Sequence, residues 1–195
     1  MPRMSEAEKQ RSHNRILDAA AQLFRERGVE ATSVADVMKA AGMTHGGFYR
    51  HFESKEDLIA TAFWHAVDDV VSDMEREETS EGRKKERQGY IAKYLSQAHA
   101  QDSRNGCPLA AMGTELARTT GAPHQVGAQA LDRMAALLQD TSETRSGQGL
   151  AAMALLMGTI TLARLTESEE EADRALEAGR TAIGLLQDYW PKERS

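Results

Sequence analysis

The chain predicts an all-α fold of about nine helices, divided into a small three-helix unit over residues 1–60 and a larger helical unit over 61–195. Three observations carry this reading. Apolar residues recur at i, i+3, i+4 and i+7 through most of the length. Ser33 with Asp36 and Ser54 with Asp57 have the three-residue spacing of capping boxes. Gly28 closes one helical run and Gly42 another, the latter as a left-handed stop.

Met1 to Lys9 is polar and is expected to fray. From about Gln10 to Arg27, Ile16, Ala19, Ala20, Leu23 and Phe24 form one apolar stripe ending at Gly28. Ser33 then caps a short helix carrying Val34, Val37 and Met38, which stops at Gly42. Thr44 is placed to cap the next segment, His45 to Arg50, which has little apolar bulk beyond Phe48. Burial alone cannot hold such a segment, so it is more plausibly offered to a partner. Two helices joined by a tight glycine-containing turn are the helix-turn-helix signature. A fourth helix starts at Lys55 and carries Leu58, Ile59, Ala62, Phe63, Ala66, Val67, Val70, Val71 and Met74 to about Glu75, linking the two units.

Glu75 to Arg87 is a mixed-charge run holding Gly82, read as a solvated helix end and turn. Tyr90, Ile91, Tyr94, Leu95 and Ala98 mark a fifth helix, closed by a polar loop from Gln101 to Gly106. Cys107 precedes Pro108, which is favoured at a first helical position, and Leu109, Ala110, Met112, Gly113, Leu116 and Ala117 continue a sixth. Thr119 to Pro123 is a turn; Val126, Ala130, Leu131, Met134, Leu137 and Leu138 form a seventh helix to about Gln139; Asp140 to Gly149 is a polar loop. Leu150 to Leu165 is apolar on nearly every side, and a last helix from about Ser168 to Tyr189 opens on Glu169 to Glu171, which suits the helix dipole. These two helices predict a homodimer face of Leu155, Gly158, Leu162, Ala175, Gly179, Ala182, Ile183 and Leu186, although an intrachain core accounts for the same pattern.

The net charge of −6 lies wholly in the second unit: nine Lys/Arg meet nine Asp/Glu up to Ala60, against fifteen and twenty-one thereafter. A neutral first unit with Arg11, Arg15, Arg50, His51 and Lys55 on one surface can still neutralise phosphates. No run reaches the eighteen or so apolar residues of a membrane span, and Met1 to Gln10 lacks the apolar run of a secretory signal. A single cysteine excludes an intramolecular disulfide, so a reducing cytoplasm is expected.

Enzyme signatures are missing: there is no phosphate loop, dinucleotide fingerprint or HExxH. The six histidines show no metal-ligand spacing with Cys107, and nothing in the spacing supports a nucleophile pairing of Cys107 with His99 or His124. Neither an enzyme nor a bound cofactor is expected. Cys107 is a candidate sensor thiol: a helix start and Arg104 three residues away would lower its pKa, while a small buried residue at a helix entrance is the bland reading.

The run from Ile16 through Leu58, with ILDAAAQLFRERG, TSVADVMKAAGMT and GGFYRHFESKEDL in order, resembles the amino-terminal domain of TetR/AcrR-type transcriptional regulators. The resemblance implies a ligand-responsive repressor that binds a palindromic double-stranded operator as a homodimer. It assigns DNA contacts to Thr32, Ser33, Thr44, His45, Gly46, Tyr49, His51 and Lys55, with Phe48 and Phe52 packing inward. Gly46 and Gly47 depart from a bulky reading helix and let the backbone approach DNA closely. In the second unit it implies an effector cavity walled by Phe63, Trp64, Val67, Val70, Tyr94, Met112, Leu116, Met134, Met153 and Met157. With few charges, such a wall suits a small hydrophobic or aromatic molecule, although each residue could equally fill a core. The rivals are a repressor responding to oxidants or electrophiles at Cys107, and a helical protein-interaction module without DNA binding.

Overall fold

The computed structural model describes residues 5–139 and 147–189. Among them are ten helices and no strand. Helix α1 (Glu6–Arg27) starts earlier than expected, because Ser5 and Glu8 form a capping box: the Ser5 amide donates to Glu8 Oε2 at 2.8 Å and the Glu8 amide to Ser5 Oγ at 3.3 Å. Satisfied amides hold the polar first turn that apolar spacing missed. Helix α1 ends at Gly28, whose φ of 89° favours glycine.

Helix α2 (Val34–Ala40) is capped by Ser33, with the Asp36 amide donating to Ser33 Oγ at 3.1 Å and the Ser33 amide to Asp36 Oδ2 at 3.0 Å. Gly42, at φ 69°, ends it as predicted. His45–Arg50 is a 3-10 helix, and Thr44 makes no side-chain cap, contrary to expectation. Two consecutive glycines weaken α propensity, and the Gly47 amide reaches the Thr44 carbonyl at 3.0 Å instead. Phe48 and Phe52 stack at 5.7 Å in the core of the head, as expected.

Helix α3 (Lys55–Arg76), capped by Ser54, buries Leu58, Ile59, Ala62, Phe63, Ala66, Val67, Val71 and Met74. It packs on α1 at one end and on α7 further along, so one rod belongs to both units. Helix α4 (Ser80–Tyr94) corrects the reading of residues 75–87: Thr79 caps it, accepting from the Gly82 amide at 3.0 Å, and Arg87 is buried with its guanidinium donating to the Gln139 carbonyl at 2.7 Å. A separate short helix α5 (Gln97–Gln101), capped by Ser96, takes up Ala98 and part of the expected loop.

Helices α6 (Pro108–Leu116), α7 (Ala122–Leu138), α8 (Gln148–Arg164) and α9 (Glu169–Tyr189) complete the second unit. Of the polar loop predicted over Asp140 to Gly149, residues 140–146 lie outside the described residues. Helices α8 and α9 press together so closely that a Cβ on Gly179 would collide with Thr159, and one on Gly149 with the Ala135 carbonyl of α7. This corrects the predicted dimer face: Gly179 and Ile183 are buried inside the protomer. Leu155, Ala175, Ala182 and Leu186 are half-buried, whereas the predicted Gly158 and Leu162 are exposed and lie on an outward stripe of α8 with Leu150, Ala154, Thr161 and Leu165; Leu185 and Tyr189 are exposed on α9.

Candidate nucleic-acid interface and effector cavities

The exposed end of the head is built from the start of α2, the 3-10 segment and the start of α3. Ser33, Thr44, His45 and Gly46 are exposed, Tyr49 is 73% exposed, and Lys55 and His51 are half-buried. Tyr49 meets the buried Phe48 edge-on at 5.2 Å, so its base is braced while its hydroxyl end is free. Thr32 is the exception. It is 1% exposed and its hydroxyl donates to the Gly28 carbonyl at 2.8 Å, so its side chain closes the α1–α2 turn instead of facing a phosphate.

A concavity of about 270 Å³ beside this surface is lined by Glu6, Lys9, Gln10, His13, Arg50 and His51. Sequence reading missed the contribution of Lys9, which fell in the stretch expected to fray, and of Gln10 and His13, whose approach to Arg50 and His51 is set by how α1 packs on the 3-10 segment. His13 stacks on Phe52 at 4.8 Å and lies 5.8 Å from the His51 ring. Burial lowers the pKa of both imidazoles, and for His51 the neighbouring His13, Lys9 and Arg50 push the same way. In the free protein these neighbours and its burial favour the neutral form of His51.

The predicted effector residues do not surround one cavity. Phe63, Val67, Met112, Met134 and Met153 are no more than 2% exposed and fill the core. Trp64 lies under Arg133, whose guanidinium is 5.0 Å from the indole centroid and pairs with Asp68 and with Glu75 at 2.6 Å. Leu116 and Met157 line an apolar groove of about 410 Å³ between α6 and α7. Val70 and Tyr94 line a different cavity, about 280 Å³, where the end of α1 meets α3, α4 and the α5–α6 loop.

Cys107 sits in the wall of that second cavity, 3% exposed. Burial raises its thiol pKa, and Arg104 lies 3.5 Å from Glu26, which corrects the expectation of an activated thiolate. Next to it His99 is locked as a neutral tautomer, with Nδ1 donating to the Tyr94 carbonyl at 2.7 Å and Nε2 accepting from the Cys107 amide at 3.1 Å. The hydroxyls of Tyr90 and Tyr94 and Nε of Arg25 are buried without a hydrogen-bond partner.

Besides the Arg104–Glu26 and His65–Asp18 contacts, a carboxylate ties the two units together through backbone. The carboxylate of Glu115, at the end of α6, accepts from the Val29 amide at 3.0 Å and the Glu30 amide at 3.3 Å. No local spacing announces a contact that crosses 86 positions.

A head presenting a short exposed segment between helix starts, on a larger helical body, defines a helix-turn-helix protein with a second all-α domain. The sequence profile of bacterial regulatory proteins of the tetR family matches residues 16–62, so the chain carries the amino-terminal domain of that family. It is 38% identical over 77 residues to the HTH-type transcriptional regulator AcrR of Shigella flexneri, covering 40% of this chain and 35% of that one. It is 46% identical over 55 residues to the HTH-type transcriptional repressor KstR2 of Rhodococcus jostii, covering 28% and 27%. The chain thus spans about a third of the length of these curated relatives.

The rest of the molecule shares the fold. A tetR-family regulator from Agrobacterium tumefaciens superposes with a TM-score of 0.68 at 18% identity, covering 90% of this chain and 97% of that one. The reduced form of NemR from E. coli gives 0.67 at 19%, covering 88% and 96%. No helix among the described residues is long and apolar enough to cross a membrane.

Proposed function

We propose that this protein is a DNA-binding transcriptional repressor of the tetR type, acting on a palindromic operator as a homodimer and released by a small effector. The observation that carries the reading is the exposed Thr44 to Arg50 segment, with Tyr49 standing 73% exposed on a well-packed head. A bulky side chain left in solvent beside Thr44, His45 and Lys55 suits a major groove, where apolar contact reads thymine methyls and polar groups take phosphates. Repression is inferred from the relatives AcrR and KstR2, which are named as a transcriptional regulator and a repressor.

The homodimer is supported by the outward apolar stripe of α8, in which Leu162 is 61% and Leu165 75% exposed. A protomer alone leaves that face in water, and a twofold axis through it would pair two heads. DNA fragments selected by the purified protein should contain two inverted half-sites about 34–36 Å apart or a multiple of it. Tyr49→Ala and Lys55→Ala should weaken binding to the selected operator without lowering the melting temperature. Lys55→Ala should also reduce the salt slope by about one phosphate. Unchanged isotherms for both variants would refute the assignment.

A further inference from the structure

The cavity at the junction of α1, α3 and α4 holds polar groups that the folded chain leaves unsatisfied. Arg25, in the last turn of α1, projects a half-buried guanidinium into it, and Nε has no hydrogen-bond partner. No ion pair to Arg25 occurs among the described residues. Asp69 and Asp73 line the same cavity; Asp73 pairs with Arg76 at 3.0 Å, and the charges of Asp69 and Asp102 reach Arg25 only at a distance, so that burial, which lowers its pKa, outweighs them. A cation taken from water without a counter-charge is costly, and proteins rarely retain one unless something supplies the anion.

The phenols make the same point independently. Tyr94 is 3% exposed, and its hydroxyl and that of Tyr90 lie buried beside the Cys107 thiol, a weak acceptor, with no oxygen or nitrogen acceptor in reach. Burial keeps both phenols protonated, so they are donors awaiting an oxygen. His99 cannot supply it, since both of its ring nitrogens are engaged. At about 280 Å³ the space falls at the lower edge of drug-sized pockets, and Val70 with the two phenol faces gives it an apolar flank.

Resting on the regulator reading above, we propose that this cavity is the effector site and that its ligand is a small aromatic or unsaturated organic acid. The carboxylate is received by Arg25, and a second oxygen by the Tyr90 and Tyr94 hydroxyls. This replaces the uncharged apolar effector that the sequence suggests. Because Arg25 belongs to α1, the ligand touches the DNA-binding head directly, and differential contact of this kind is what coupling requires.

The test uses the full chain, with 4-hydroxybenzoate and its uncharged isostere 4-hydroxybenzamide as calorimetric probes. The acid should bind at least about tenfold more tightly than the amide, the worth of one charged hydrogen-bonded pair. Arg25→Gln should abolish that preference, and Arg25→Lys, which keeps the charge but loses the planar fork, should fall between. Tyr94→Phe should weaken acid and amide alike. Arg25→Gln should melt no lower than the parent without ligand, because it removes a half-buried charge that has no direct ion pair. Equal affinity for acid and amide, no binding of either, or an Arg25→Gln protein that still prefers the acid would overturn the proposal. Operator affinity is measured on the same samples. Acid binding that leaves operator affinity unchanged would keep the site and reject the regulatory reading; loss of operator binding in every sample would reject only the latter.

Discussion

Glu115 satisfies two backbone amides that belong to a distant turn, and its removal would leave both without an acceptor. Glu115→Ala should therefore cost about 1–3 kcal/mol in urea denaturation, with Glu115→Gln losing less because its amide oxygen still accepts. Histidine 99 makes a second residue-scale prediction. Burial is the first cause of its lowered pKa, so the unfolded chain binds protons that the folded one resists. The stability it contributes is complete above the unfolded value of 6.5 and is lost as pH falls from there through the folded pKa. Melting temperature should drop between about pH 7 and about pH 5, and His99→Gln should flatten part of that drop. A slope identical to the parent's would remove His99 from the account. Neither residue was legible beforehand, since Glu115 acts across the chain and the His99 interactions depend on how α5 turns back toward Cys107.

Caps and stops were the legible part at the level of elements. Ser33, Gly28 and Gly42 act through neighbours within four residues, and the structure places each as its spacing implied; Ser54 forms only half of its expected box, accepting from the Asp57 amide at 3.1 Å while the Asp57 carboxylate takes the Glu53 amide at 3.0 Å. Where a helix lacks an apolar stripe the pattern fails, as in α4, whose charged first turns are held by the Thr79 cap and by the buried Arg87. Two apolar helices also do not reveal which stripe each turns to the other. Gly179 and Ile183 carry the same signal as Leu162 but face inward, because α9 lies against Thr159. Gly179→Ala should destabilise by about 1–3 kcal/mol through overpacking. Gly149→Ala should cost more, since its new Cβ meets the Ala135 carbonyl, which cannot rotate away as a side chain can. Equal unfolding midpoints for the two variants would contradict the packing described.

For the whole molecule the decisive surface is the outward face of α8 and α9. Charging an inward residue such as Ile183 would damage the protomer itself, whereas Leu162→Glu with Leu185→Glu places charge on residues 61% and 55% exposed. The double variant should sediment as a folded monomer at micromolar concentration, with parental helicity and much weaker operator binding. A parental protein that is already monomeric would remove the dimer from the model of action. The fold class and the head were legible because they rest on periodicity and on a specific segment. The cavity was not, because Arg25, Tyr90, Tyr94 and Cys107 come from three separate stretches and meet only after α4 and α5 fold back.

The clamp from Glu115 to the turn after α1 also bears on building hybrid regulators. A head cut out within α3 and fused to a foreign helical body takes its reading surface along but leaves behind the carboxylate that fastens Val29 and Glu30. Its stiffness would then depend on whatever the new body offers at that spot. On the proposed function, a transplant designed from sequence borders alone would keep the reading surface but lose its tie to the body, unless an acceptor is grafted at the position where α6 ends.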